Sequence, residues 1–65
     1  MPLVEIHLLE GRTAEQKKML LASVTEAVHE SIGASLQSIR VWIHEFSDDN
    51  YMAAGQLASD RKKKP

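Results

Sequence analysis

The chain has no cysteine, only three glycines and two prolines, and one each of Trp, Tyr and Phe among its 65 residues. Without cysteine no disulfide can staple the fold. The few glycines form no phosphate-cradling loop, and no strand-turn-helix nucleophile elbow is present. Long apolar runs are also missing: the longest fall far short of the ~20 residues of a membrane span, and no signal-peptide pattern is visible, so a cytoplasmic protein without membrane association is expected. Charge of one sign is lacking as well. A formal net charge of -1 argues against nucleic acid as a partner of the domain body. The one basic run is "RKKK" at 61 to 64. Residues 2–60 are therefore expected to form the domain, and 61–65 a solvated, frayed basic tail.

What is present is 43% apolar residues, enough for one small domain and too many for disorder. A chain of this size buries only about 60% of its unfolded surface and is marginal alone. With no disulfide and no metal-ligand cluster to help, self-association is the expected remedy.

From Leu3 to Leu9 the apolar Val4, Ile6 and Leu8 alternate with Leu3, Glu5, His7 and Leu9, the period of a strand. Gly11 ends it. Thr13 with Gln16 three residues later makes a capping box, and a helix is expected from about Ala14 to Ile32. Its apolar side is read as Leu20, Leu21, Val24, Ala27, Val28, Ser31 and Ile32, with Lys17, Lys18, Glu26 and Glu30 on the wet side. Gly33 stops it in the left-handed conformation. A second strand is expected in "SIRVWIHEF" at 38 to 46, with Ile39, Val41 and Ile43 facing one way and Arg40, Trp42, His44 and Phe46 the other. "SDDN" at 47 to 50 is turn chemistry, and "YMAAGQLAS" suits a small hairpin or an arm packed on a neighbour.

The expected fold class is thus α/β, a single βαβ unit with parallel strands and a right-handed crossover, plus a short C-terminal hairpin or arm. One helix covers one face of the sheet. The other face, with Leu3, Leu9, Trp42 and Phe46 beside Glu5, His7, Arg40 and His44, is left open, as are both edges. Copies of the same chain cover such a surface most simply, so a homo-oligomer is expected.

Pro2 directly follows the initiator methionine. In peptide linkage its nitrogen is an amide without a hydrogen, tolerated at the start of a strand. At a chain start it is a free secondary amine. Arg12 and Arg40 are the other ionisable groups at element ends. Pro2 and Arg12 flank one strand, and its rise separates them by roughly 26 to 30 Å. They share a site only if a second, antiparallel chain brings its Arg12 to the first chain's Pro2. Arg40 begins the strand parallel to the first, at Pro2's end.

These residues, together with "IHLLEGR" at 6 to 12, "EQK" at 15 to 17, "SIRVWIHE" at 38 to 45 and "GQLAS" at 55 to 59, resemble the 4-oxalocrotonate tautomerase family over nearly the whole chain. The resemblance implies removal of Met1 and βαβ subunits paired antiparallel and assembled as a hexamer, a trimer of dimers. It implies a cofactor-independent keto-enol tautomerase of small unsaturated 2-hydroxy or 2-oxo (di)carboxylates such as 2-hydroxymuconate. Pro2 would be the general base, Arg40 would hold the carboxylate and 2-oxo group, and Arg12 of another subunit would grip the far carboxylate. A guanidinium fork suits both tasks. Leu9, Ser38 and Tyr51 join the two arginines as expected substrate-binding positions.

An α-amino group titrates near 7.7 to 8.0 and a secondary amine is more basic still, so a useful Pro2 base needs its pKa pushed down. Burial beside apolar residues and two nearby arginines act in that direction. Where the family has a pocket phenylalanine this chain has Tyr51, whose ring is an apolar wall or whose hydroxyl is a donor to substrate. Where related dehalogenases carry a water-activating carboxylate stands Ala53, against hydrolytic dehalogenation. Two alternatives stay open: an aryl-pyruvate tautomerase, and a non-catalytic oligomeric small-molecule-binding module. His7, His29 and His44 lie on separate elements without ligand spacing and are read as interface or surface groups, not metal ligands. Asp48 and Asp49 are read as a solvated turn.

Overall fold

The alternation from Leu3 onward forms strand β1 (Leu3–Leu9), and the second alternating run forms β2 (Arg40–Phe46). In this computed structural model residues 1–61 are described, Arg61 by its backbone alone. The two strands pair in parallel, in a register that runs from Leu3 opposite Arg40 to Leu9 opposite Phe46. Between them lies helix α1 (Ala14–Ile32), and its start is set by the capping box. The Gln16 amide donates to Thr13 Oγ1 at 3.1 Å, and the Thr13 amide donates to Gln16 Oε1 at 3.0 Å. Two of the orphan donors at a helix start are satisfied in this way. Gly33, at φ 73°, ends the helix by donating its N–H to the His29 carbonyl at 3.0 Å.

Helix α1 packs on the face that carries Val4, Ile6, Leu8, Val41 and Ile43, all half-buried. Its own half-buried positions are Lys17, Leu20, Leu21, Val24, Thr25, Val28 and His29. The expected apolar stripe is corrected at both ends: Ala27, Ser31 and Ile32 are exposed, and Lys17 turns inward because Nζ meets Glu45 Oε1 of β2 at 3.0 Å. The second strand begins at Arg40 and not at Ser38. Residues Leu36–Ser38 form a 3-10 turn closed by the Ser38 amide on the Ser35 carbonyl at 3.0 Å.

The "SDDN" turn is a second 3-10 turn, Asp48–Asn50, led by Ser47, whose hydroxyl accepts from the Asp49 amide at 3.1 Å. The expected hairpin follows as β3 (Met52–Ala53) and β4 (Gln56–Leu57), and it runs into a short helix α2 (Ala58–Arg61). Its two-residue turn places Ala54 at φ 55° and Gly55 at φ 78°. Both central residues thus have the positive φ of the turn that best matches strand twist. The Lys62, Lys63 and Lys64 of the basic tail lie outside the described residues.

Among the described residues Ile39, 7% exposed, is the only buried apolar side chain, and none is fully buried. The radius of gyration is 15.4 Å, against about 11 Å for a compact domain of this length. Leu3 (61% exposed) and Trp42 (38%) lie bare on the sheet face opposite the helix. Among the described residues no helix is long and apolar enough to cross a membrane.

Candidate active site

The expected site residues fall into two groups at opposite ends of the sheet. At the start of the strands the Arg40 amide donates to the Pro2 carbonyl oxygen at 3.1 Å, extending the β1–β2 ladder by one step. Parallel pairing therefore brings Arg40 beside the second residue of the chain. Pro2 is half-buried, and with Met1 in place its nitrogen is in peptide linkage. The Arg40 Nη1 donates to the Gln37 carbonyl at 2.6 Å and to the Ile39 carbonyl at 3.2 Å. One corner of the guanidinium is thereby tied to the 3-10 turn, which leaves the rest of the planar fork for an acidic ligand. Ser38 is in the same turn, its hydroxyl donated to the Ser35 carbonyl at 2.9 Å.

At the other end Leu9 is paired with Phe46, and the Glu10 amide donates to the Phe46 carbonyl at 2.8 Å. Gly11 then takes φ 127°, a value that favours glycine, and turns the chain toward the helix. Arg12 sits on this turn, exposed, just before the capping Thr13. Tyr51 is held nearby: its ring lies 5.3 Å from that of Phe46 at a 41° tilt, and its carbonyl accepts from the Ala58 amide at 2.8 Å.

Pro2, Ser38 and Arg40 thus occupy one end, and Leu9, Arg12 and Tyr51 the other. The seven residues of β1 alone put roughly 23 Å between the ends. Among the described residues no pocket forms within the single chain. A small molecule can meet both groups only between chains.

As expected, His7, His29 and His44 lie on separate elements, β1, α1 and β2. His7 and His44 are register partners, with rings stacked at 5.6 Å, and both approach Glu5. Strand pairing brought them together, and only the register could have revealed it. His29 stands apart, with Nδ1 2.7 Å from the Ala34 carbonyl at the helix end. Among the described residues no group of three or more His, Cys, Asp or Glu is arranged to hold a metal ion.

Comparison with known proteins adds an independent line. The family model described as "Tautomerase enzyme" matches residues 2–61. A 2-hydroxymuconate tautomerase of Bacillus subtilis (strain 168) is 52% identical over 60 residues, covering 92% of this chain and 97% of that protein. A 4-oxalocrotonate tautomerase isozyme of Methylibium petroleiphilum superposes with a TM-score of 0.90 at 38% identity, over 94% of this chain and 95% of that one. A heterohexameric 4-oxalocrotonate tautomerase of Chloroflexus aurantiacus gives a TM-score of 0.88 at 28% identity, over 92% and 97% of the two chains.

Proposed function

The chain belongs to the tautomerase family, enzymes that interconvert keto and enol forms, and from that premise we propose that it acts on small unsaturated 2-hydroxy or 2-oxo dicarboxylates of the 2-hydroxymuconate type. In this reading Met1 is removed, and Pro2 becomes a secondary amine that serves as the general base without a cofactor. It takes the proton of the enol hydroxyl and returns a proton to a carbon of the conjugated chain, as the electron pair shifts to form the ketone. Arg40 holds the carboxylate and the adjacent oxygen. Arg12 of another copy binds the far carboxylate and draws electron density toward it. Leu9, Ser38 and Tyr51 line the crevice.

The observation that carries this reading is the 3.1 Å hydrogen bond from the Arg40 amide to the Pro2 carbonyl, which ties a guanidinium-bearing residue to the base. A homo-oligomer, a hexamer built as a trimer of dimers, follows as part of the proposal. The 15.4 Å radius of gyration and the bare sheet face support it, because neither suits a solitary chain.

The test is intact mass followed by kinetics. The purified protein should lack Met1, and Pro2→Ala, which leaves a primary amine, should lose about 10²-fold or more of its rate on 2-hydroxymuconate, followed by ultraviolet absorbance. A retained methionine in a fully active enzyme, or an unchanged rate in the variant, overturns the assignment.

A further inference from the structure

The guanidinium of Arg40 is held by its own chain. A guanidinium carries five N–H donors, one on Nε and two on each Nη. Nη1 gives its two to the Gln37 carbonyl at 2.6 Å and the Ile39 carbonyl at 3.2 Å. A carboxylate therefore cannot be gripped end-on across Nη1 and Nη2, and the side-on fork of Nε–H and Nη2–H stays open. Both partners are neutral carbonyls. Among the described residues Arg40 pairs with no carboxylate, so its positive charge is left uncancelled.

The carbonyls that hold it belong to the 3-10 turn Leu36–Ser38 and the residue after it. That turn is built on Ser35, whose carbonyl accepts twice from Ser38, from the amide at 3.0 Å and from the hydroxyl at 2.9 Å. A 3-10 turn has poorer hydrogen-bond geometry than an α-helix, so a second donor on the same carbonyl matters. On the far side the buried Ile39 donates its amide to the Leu36 carbonyl at 3.3 Å, and the Arg40 amide donates to the Pro2 carbonyl at 3.1 Å. Apart from Arg40 itself, the one side chain in these bonds is Ser38. All of them close within one chain, between residues 35 to 40 and Pro2, so the arrangement is complete without another copy.

We propose that Ser38 is a positioning residue: its hydroxyl fixes the turn, the turn fixes the Gln37 carbonyl, and that carbonyl aims the open fork of Arg40 at the carboxylate end of the substrate. The inference rests on the Arg40 assignment in the reading above, but not on those of Pro2 and Arg12. A free arginine side chain gives up rotamer freedom when a ligand clamps it, and one already held by its chain gives up less. The turn therefore acts on affinity, through KM, and leaves the proton transfer at Pro2 alone.

Steady-state kinetics of the full chain on 2-hydroxymuconate test this. Ser38→Ala should raise KM about three- to tenfold, the scale of one hydrogen bond, with kcat held within about twofold. A variant that merely folded less well would leave fewer working sites and lower kcat at an unchanged KM. In an Arg40→Ala background the same substitution should change kcat/KM less than about twofold, because a residue that acts through Arg40 then has nothing to act on. Gln37→Gly is a second route that spares Ser38. The Gln37 side chain is exposed, and the freed backbone should raise KM about two- to fivefold, whereas Gln37→Ala should not. This pair decides the matter if Ser38→Ala folds poorly. An unchanged KM in Ser38→Ala, a Ser38→Ala loss that persists without Arg40, or a Gln37→Gly variant that behaves as Gln37→Ala does each overturns the inference. An Arg40→Ala enzyme with wild-type kcat/KM overturns instead the reading on which it rests.

Discussion

Two impaired variants should together make a more active enzyme than either alone. Pro2 and Arg12 lie beyond opposite ends of β1, with the seven residues Leu3–Leu9 between them. No rearrangement of an intact strand closes the roughly 23 Å that separates the ends. A site that needs both residues draws them from different chains. A Pro2→Ala chain keeps Arg12, and an Arg12→Ala chain keeps Pro2. Homo-oligomers of either variant contain no complete site. If the two are mixed in equal amounts under denaturing conditions and refolded together, each site has even odds of an intact Pro2 and, independently, of an intact Arg12. About one quarter of the wild-type sites should therefore be complete, as random placement in a closed symmetric assembly requires. With substrate held well below KM, the Pro2→Ala parent should run about 10²-fold below wild type, as when a general base is lost, and the Arg12→Ala parent about tenfold below, so both lie beneath that level. The assay is the initial rate on 2-hydroxymuconate at matched total chain concentration, with each parent refolded alone as the control. Recovery no greater than the parents' mean would refute the reasoning, since it would mean that the two residues act within one chain.

Arg12→Ala should raise the KM of a dicarboxylate substrate about tenfold or more, with a much smaller effect on a monocarboxylate analogue, because only the diacid offers the far carboxylate to a guanidinium. Equal losses on both substrates would remove Arg12 from that role. Ile39→Ala should cost about 2 to 5 kcal/mol in denaturant unfolding at fixed protein concentration, because Ile39 is the one buried apolar side chain among the described residues. A cost below about 0.5 kcal/mol, the scale of a surface substitution, would show that the described core is not where stability resides.

The elements were legible where local chemistry decides them. Alternation marked β1, while Thr13, Gln16 and Gly33 marked both ends of α1. The start of β2 is not legible, because the alternation continues back through Ile39 and Ser38 and the competing 3-10 turn is closed by backbone hydrogen bonds that no pattern announces. Lys17 reads as a wet-side residue because a charge reads as exposed until its partner across the fold, Glu45, is known. The His7–His44 stack was illegible for the same reason: it follows from Leu3 facing Arg40, a register that the alternation alone does not specify. The proximity of Arg40 to Pro2 was readable, because parallel strands joined by one helix bring their starting ends together. The complete crevice was not, since its two halves belong to separate copies in the proposed assembly and one sequence holds no inter-chain distances.

The hairpin carries a consequence of its own. Its strands are two residues each, and Ala54 occupies a backbone region that costs an L-residue roughly 1 kcal/mol relative to glycine. A ribbon this short is marginal in water without a surface to lie on. Were a neighbour in the proposed assembly to supply that surface, folding of the C-terminal segment and docking of the copies would become a single event. Dilution would then melt the arm as it separates the chains, and a measured melting temperature would have no meaning without the concentration at which it was taken.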